Sequence, residues 1–162
     1  MANVNPASEI AALFRRDLTR LSQELHAFPR DEPALWQTLP GITNSAGHLF
    51  VHLEGNLREF IGRHLGNRPC IRRREEEFTC PEVPWNELAI RIDSLISLIP
   101  DIVAALEPGA LAATHPQTLR GVPLSTHQFL IHTLGHLQYH LGQIDYLRRI
   151  LLAASPLDFA GL

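Results

Sequence analysis

The chain has 162 residues and a mass of 18.2 kDa, with 45% hydrophobic and 19% charged residues and a formal charge of −3. That is enough for one domain, 1–162, with its own core, and the composition excludes a disordered or membrane-spanning class. All 14 basic residues are Arg, so a Schiff-base lysine and a P-loop lysine are excluded, and a mildly acidic chain with no basic face is expected to bind no nucleic acid. The first residues, MANVNPASEI, lack a basic start followed by an apolar stretch. No signal peptide and a cytoplasmic location are therefore expected, with no membrane partner. Cys70 and Cys80 form no CxxC pair and are expected as free thiols.

The first predicted helix runs from Pro6 to Phe28. Asn5 before Pro6 suits an N-cap with proline at the first helical position. Ile10, Leu13, Phe14, Leu18, Leu21 and Leu25 share one face, and Pro29 and Pro33 close the helix. The second starts at Asn44 or Ser45 and runs to Leu65, with Ala46, Leu49, Phe50, Leu53, Leu57, Phe60 and Ile61 as its apolar stripe. Residues 66–83 read as irregular, and their run Arg72–Glu77 reads chiefly as solvated loop surface. The third helix begins near Pro84 and carries Leu88, Ile92, Leu95, Ile96 and Ile99. Pro100 should kink or split it, with resumption over Asp101–Leu106 and a stop at Pro108-Gly109. The fourth opens on a capping box, Ser125 with Gln128, and runs to Ala153. Convincing strands are absent. Four amphipathic helices argue for an all-α four-helix bundle, and the long second connection for at least one crossover.

The chain has 9 His. His132, His136 and His140 recur every four residues on the fourth helix, and His48 and His52 are spaced four apart on the second. Two imidazoles at i and i+4 stand one turn apart on one face and can converge on a metal ion. His136 and His140 border the apolar stripe, and Asn56 continues the face of His48 and His52. One histidine from the second helix and two from the fourth would make a three-nitrogen site suited to Zn²⁺, Ni²⁺ or Fe²⁺. His52 lies off the centre of its own stripe. His26, His64, His115 and His127 lack convergent partners and read as structural. HExxH, Glu-x-x-His, GxSxG, GxGxxG and Walker motifs are all missing.

The segment NSAGHLFVHLEGNLREFIG, followed downstream by LIHTLGHLQYHLGQIDYLRR, resembles the DinB-like family of damage-inducible four-helix metalloproteins. The more specific part is the HxxxHxGQ element, His136 to Gln143. The run RRREEEF, 72–78, is similar to an Arg/acidic-Phe element of some members. The resemblance covers nearly the whole chain. It implies an up-down-down-up four-helix bundle, usually a homodimer, with a divalent metal, commonly zinc or nickel, on three histidines. By motif position these are His52, His136 and His140. His48 and His132 then become neighbours of the ligands or pocket residues. Gly142 would permit close helix approach, and Gln143 would orient a ligand.

Some members of that family are thiol S-transferases, in which a metal lowers a thiol's pKa and presents thiolate to an electrophile. The expected activity is therefore a metal-dependent thiol S-transferase in detoxification, taking a small-molecule thiol and an electrophile. The alternatives are a metal-dependent hydrolase and a non-catalytic metal-binding stress-response protein. One arginine of 72–74 could reach over the site to hold a carboxylate. Glu54 reads chiefly as an exposed helix charge, and Tyr139 ranks below the histidines.

Overall fold

A computed structural model describes residues 5–30, 33–79 and 82–158. The described residues are all-helical, with two isolated β-bridges, Thr114 to Ser125 and Leu119 to Val122, and no strand. Helix α1 spans Pro6–His26; the Asn5 side chain caps it by accepting from the Ala7 N–H at 3.1 Å. It ends two residues short of the expected Phe28, which tucks into the core against Phe50 instead.

Helix α2 spans Ala46–Leu57, capped by Ser45, whose hydroxyl accepts from the His48 N–H. The expected helix to Leu65 does not continue as α. It widens into a π-helical turn over Arg58–Arg63. Such a turn inserts one residue into the ladder and rotates everything after it. A stop follows at Asn67, which has φ +51°.

Within 66–83 the run reads as a 3-10 turn, Arg74–Phe78, rather than as irregular chain. Helices α3, Trp85–Asp93, and α4, Leu95–Ala104, replace the single expected third helix. The break lies at Ser94, six residues before Pro100, which sits inside α4. Proline lacks an N–H for the carbonyl four residues back, that of Ile96. That carbonyl accepts from Arg15 at 3.1 Å, so α4 tolerates its proline. At the break, Ser94 Oγ donates to the Arg91 carbonyl at 2.6 Å and accepts from Arg58 at 2.7 Å. Pro108, expected to end a helix, instead opens the short α5, Pro108–Ala112, where proline at the first position is well placed. Helix α6 spans Thr126–Leu152 behind a complete capping box: Ser125 Oγ accepts from the Gln128 N–H, and Gln128 Oε1 accepts from the Ser125 N–H.

Phe14, Phe28, Phe50, Leu18, Leu53, Ile61 and Ile92 centre one continuous core. Buried carboxylates cross-link the helices around it, and each is held by arginine. Asp17 binds Arg16 and accepts from Gln138 of α6 at 2.9 Å. Glu24 binds Arg148 of α6. Glu54 binds Arg58 and Arg91. Glu54, expected from sequence as an exposed charge, is buried instead, because α3 covers it with Arg91.

These links also order the helices. Asp17 and Glu24 meet Gln138 and Arg148, so contacts between α1 and α6 advance together. Arg15 meets Asp101 while Ser22 meets Asp93, so contacts between α1 and the α3–α4 pair run oppositely. Phe60 meets Phe129 while His52 meets His136, so those between α2 and α6 also run oppositely. This opposed run of α2 along α6 fixes the site.

Candidate metal centre

His52 projects from α2, and His136 and His140 project from successive turns of α6. Their Nε2 atoms converge: His136 Nε2 lies 3.1 Å from that of His52 and 3.1 Å from that of His140. All three ligand atoms lie within 4.8 Å of one another. Two nitrogens at zinc bond lengths in a tetrahedral site stand about 3.3 Å apart. The observed spacing therefore fits one ion among three imidazoles.

For two of the rings the far side decides which nitrogen faces inward. His52 Nδ1 donates to Glu77 Oε2 at 2.7 Å. Glu77 in turn receives a two-pronged grip from Arg72, Nε to Oε1 at 2.6 Å and Nη2 to Oε2 at 2.9 Å. Burial pushes the Glu77 carboxyl up, but the bonds from His52 and Arg72 outweigh it and hold it below the usual range. An ionised carboxylate only accepts, so the His52 proton sits on Nδ1 and the Nε2 lone pair points into the site. His140 Nδ1 donates likewise to Gln143 Oε1 at 2.7 Å. The inward lone pairs of His52 and His140 both face His136 Nε2, which can join them on a cation or, without one, donate its own N–H.

The electrostatics agree. His136 is pushed down to about 3, chiefly by burial and then by the charges of His140, His52, His132 and Arg72. Burial also lowers His140, against the opposing bond to Gln143. Both rings are neutral at pH 7, the form that binds a metal. The buried Nδ1 of His136 has no partner among the described residues. These three nitrogen donors lie close enough to hold one metal ion.

The other sequence candidates divide. Gln143 touches His140 and also lines an apolar groove of about 530 Å³ with Tyr139, Tyr146 and Ile150. His132 and Asn56 line a cleft of about 600 Å³ that opens on His52 and His136. His48 is not in the site: its Nδ1 bonds Ser45 Oγ at 2.9 Å and its ring edges onto Trp36. Tyr139 is exposed and meets the His140 ring edge-on. Gly142 has open space where a Cβ would stand, so no helix among the described residues approaches it closely. Of the remaining histidines, His26 bonds Asp93, His64 bonds Glu59, and His115 stacks on Phe129 at 3.8 Å.

The run Arg72–Glu77 departs most from its sequence reading. Arg72 does hold a carboxylate beside the site, but it is the chain's own Glu77, which is buried. The 3-10 turn swings Glu77 inward, and Phe78 packs beside the His52 ring with centroids 4.8 Å apart. Gly55 makes the room, since a Cβ there would overlap the Glu77 carboxylate. Nothing in the sequence marks Glu77 above its neighbours Glu75 and Glu76. Only the turn's register separates it from them.

Cys70 is a free thiol that donates to Glu59 Oε2 at 3.4 Å, and burial and Glu59 push it up. Cys80 lies outside the described residues. No described helix is long and apolar enough to cross a membrane. No family model, curated protein or solved structure matches the chain.

Proposed function

We propose that this chain is a metal-dependent enzyme of the DinB-like type, a thiol S-transferase in which His52, His136 and His140 hold zinc or nickel. The convergence of the three Nε2 atoms beneath an open cleft carries the reading. A divalent ion held there supplies a Lewis-acid position at which a bound thiol's pKa falls into the neutral range. The chain's own part is orientation. Glu77 keeps the His52 proton on Nδ1, Gln143 does the same for His140, and Arg72 keeps Glu77 ionised. The cleft gives a small-molecule thiol and its electrophile access to His52 and His136.

The contact orders support the up-down-down-up four-helix arrangement, with α3 and α4 together forming its third helix. The same reading includes a cytoplasmic location and a homodimer through the exposed face of α6, where Ile131, Tyr139, Tyr146 and Ile150 lie open.

Metal analysis of untagged protein tests the ligand set. Near-stoichiometric zinc or nickel is expected in the native chain, with most of it lost in His136→Ala. Wild-type stoichiometry in that variant defeats the assignment. Metal-dependent turnover of low-molecular-weight thiols with a reactive electrophile is expected next. Turnover confined to an ester or amide panel assigns a hydrolase instead. Turnover of neither, with a chelator-sensitive melting point, assigns a non-catalytic metal-binding protein.

A further inference from the structure

The cleft above the histidines is lined by Arg72, Arg74, Arg120 and His132, and by no Asp or Glu among the described residues. The whole chain is net acidic, so this local sign is the opposite of the average. Arg72 is already occupied by Glu77. Arg74 and Arg120 are exposed and make no ion pair or hydrogen bond among the described residues, although Arg73, next in the chain, pairs with Glu76. Two guanidinium groups at the mouth of an otherwise acid-free cleft are left without a counter-charge.

Arg120 is also held there by an unusual backbone. It has φ +50° and Gly121 has φ +82°. Leu119 and Val122 exchange both backbone hydrogen bonds, each at 2.9 Å, so the two residues form the centre of a tight hairpin turn with left-handed geometry at both positions. Asn or Asp normally precedes the glycine in such a turn, and a long side chain there is uncommon. No packing contact explains the choice, since the Arg120 side chain is exposed. The turn's effect is to set Arg120 at the cleft that Arg74 also lines.

We propose that this cleft takes a substrate bearing an oxyanion, a carboxylate or a phosphate, which Arg120 and Arg74 grip at the mouth while the rest of the molecule extends toward His52 and His136. The planar forks of arginine match both oxyanions in two-pronged geometry. The volume, about 600 Å³, suits a small molecule. The Asn56 amide and the Thr118 hydroxyl on the same walls can complete the polar contacts. The inference rests on the histidines facing the substrate, as proposed above, and it adds the class of molecule that enters.

Calorimetric titration of zinc-loaded protein with succinate, inorganic phosphate and uncharged succinamide tests it. Succinate or phosphate is expected to bind, more weakly as salt rises, and the tighter of the two identifies the oxyanion. Arg120→Asn, which suits the left-handed turn, and Arg74→Gln are each expected to weaken binding about tenfold. Arg68→Gln, an exposed arginine away from the cleft, should leave binding unchanged. The proposal is overturned if neither anion binds, if succinamide binds equally well, if both cleft variants match the wild type, or if Arg68→Gln weakens binding as much as they do. Zinc content of the same samples separates the two readings. Stoichiometric zinc without arginine-dependent binding removes the oxyanion site alone. Arginine-dependent binding in protein that takes up no zinc removes the metal reading alone.

Discussion

At His52 a single carboxylate sets both the ring's proton and its angle. Glu77→Gln keeps an acceptor near Nδ1 but gives up the charge and the two-pronged grip of Arg72. It is expected to weaken metal affinity roughly 10- to 100-fold with helix content unchanged, as read by competition with a chelator and by circular dichroism. Unchanged affinity would mean that Glu77 serves only the fold. The depressed groups also set a pH dependence. His136 lies at about 3 in the folded chain against an ordinary 6.5, so the folded state binds fewer protons than the unfolded state between those values. The associated stability is present above pH 6.5 and is lost as pH falls toward 3; lowered His140 and Glu77 act with the same sign. The denaturant midpoint of metal-free protein should therefore fall from pH 7 to pH 4, and His136→Gln should flatten that slope. The convergence of three histidines was legible in sequence because helical periodicity alone puts His136 and His140 on one face and the motif resemblance adds His52. Glu77 and Gly55 were not, because their partnership spans a turn that only the folded chain brings back against α2.

The elements show which local signals outlast packing. The capping box before α6 depends on two side chains three residues apart, and the fold preserves it. Ser125→Ala should cost about 1 kcal/mol, measured by urea unfolding, because Gln128 N–H then loses its acceptor at the end of the helix that carries two site histidines. Pro100 was legible as a defect but not as to where the defect would surface. Arg15 reaches from α1 to satisfy the stranded Ile96 carbonyl, and the ladder opens instead at Ser94, where Arg58 and Ser94 hold the Arg91 carbonyl. Arg15 and Arg58 reach these carbonyls from far away in sequence, whereas Ser94 acts from within the break itself. The π-helical turn after Leu57 escaped for a different reason: the apolar stripe runs through it unbroken, so periodicity reads a continuous α-helix.

Across the whole molecule, the histidine cluster bridges α2 and α6, whose first residues are 80 positions apart in the chain. An ion bound only in the folded state adds RT ln(1 + [L]/Kd), about 2.7 kcal/mol at a hundredfold excess over Kd. Chelation should lower the melting point of the wild type by several degrees and leave that of His136→Ala unmoved; equal shifts would place the ion elsewhere. Asp17, Glu24, Glu54 and Glu77 are all neutralised by guanidinium groups, and none by an amine, since the chain has no Lys. Burial pulls the Arg91 guanidinium down, but Glu54 outweighs it and leaves Arg91 above its ordinary value. Guanidinium keeps its proton beyond pH 12, where ammonium has already let go. Strong base therefore has no direct way to dissolve these cross-links, and alkaline unfolding of this protein must begin at some other seam.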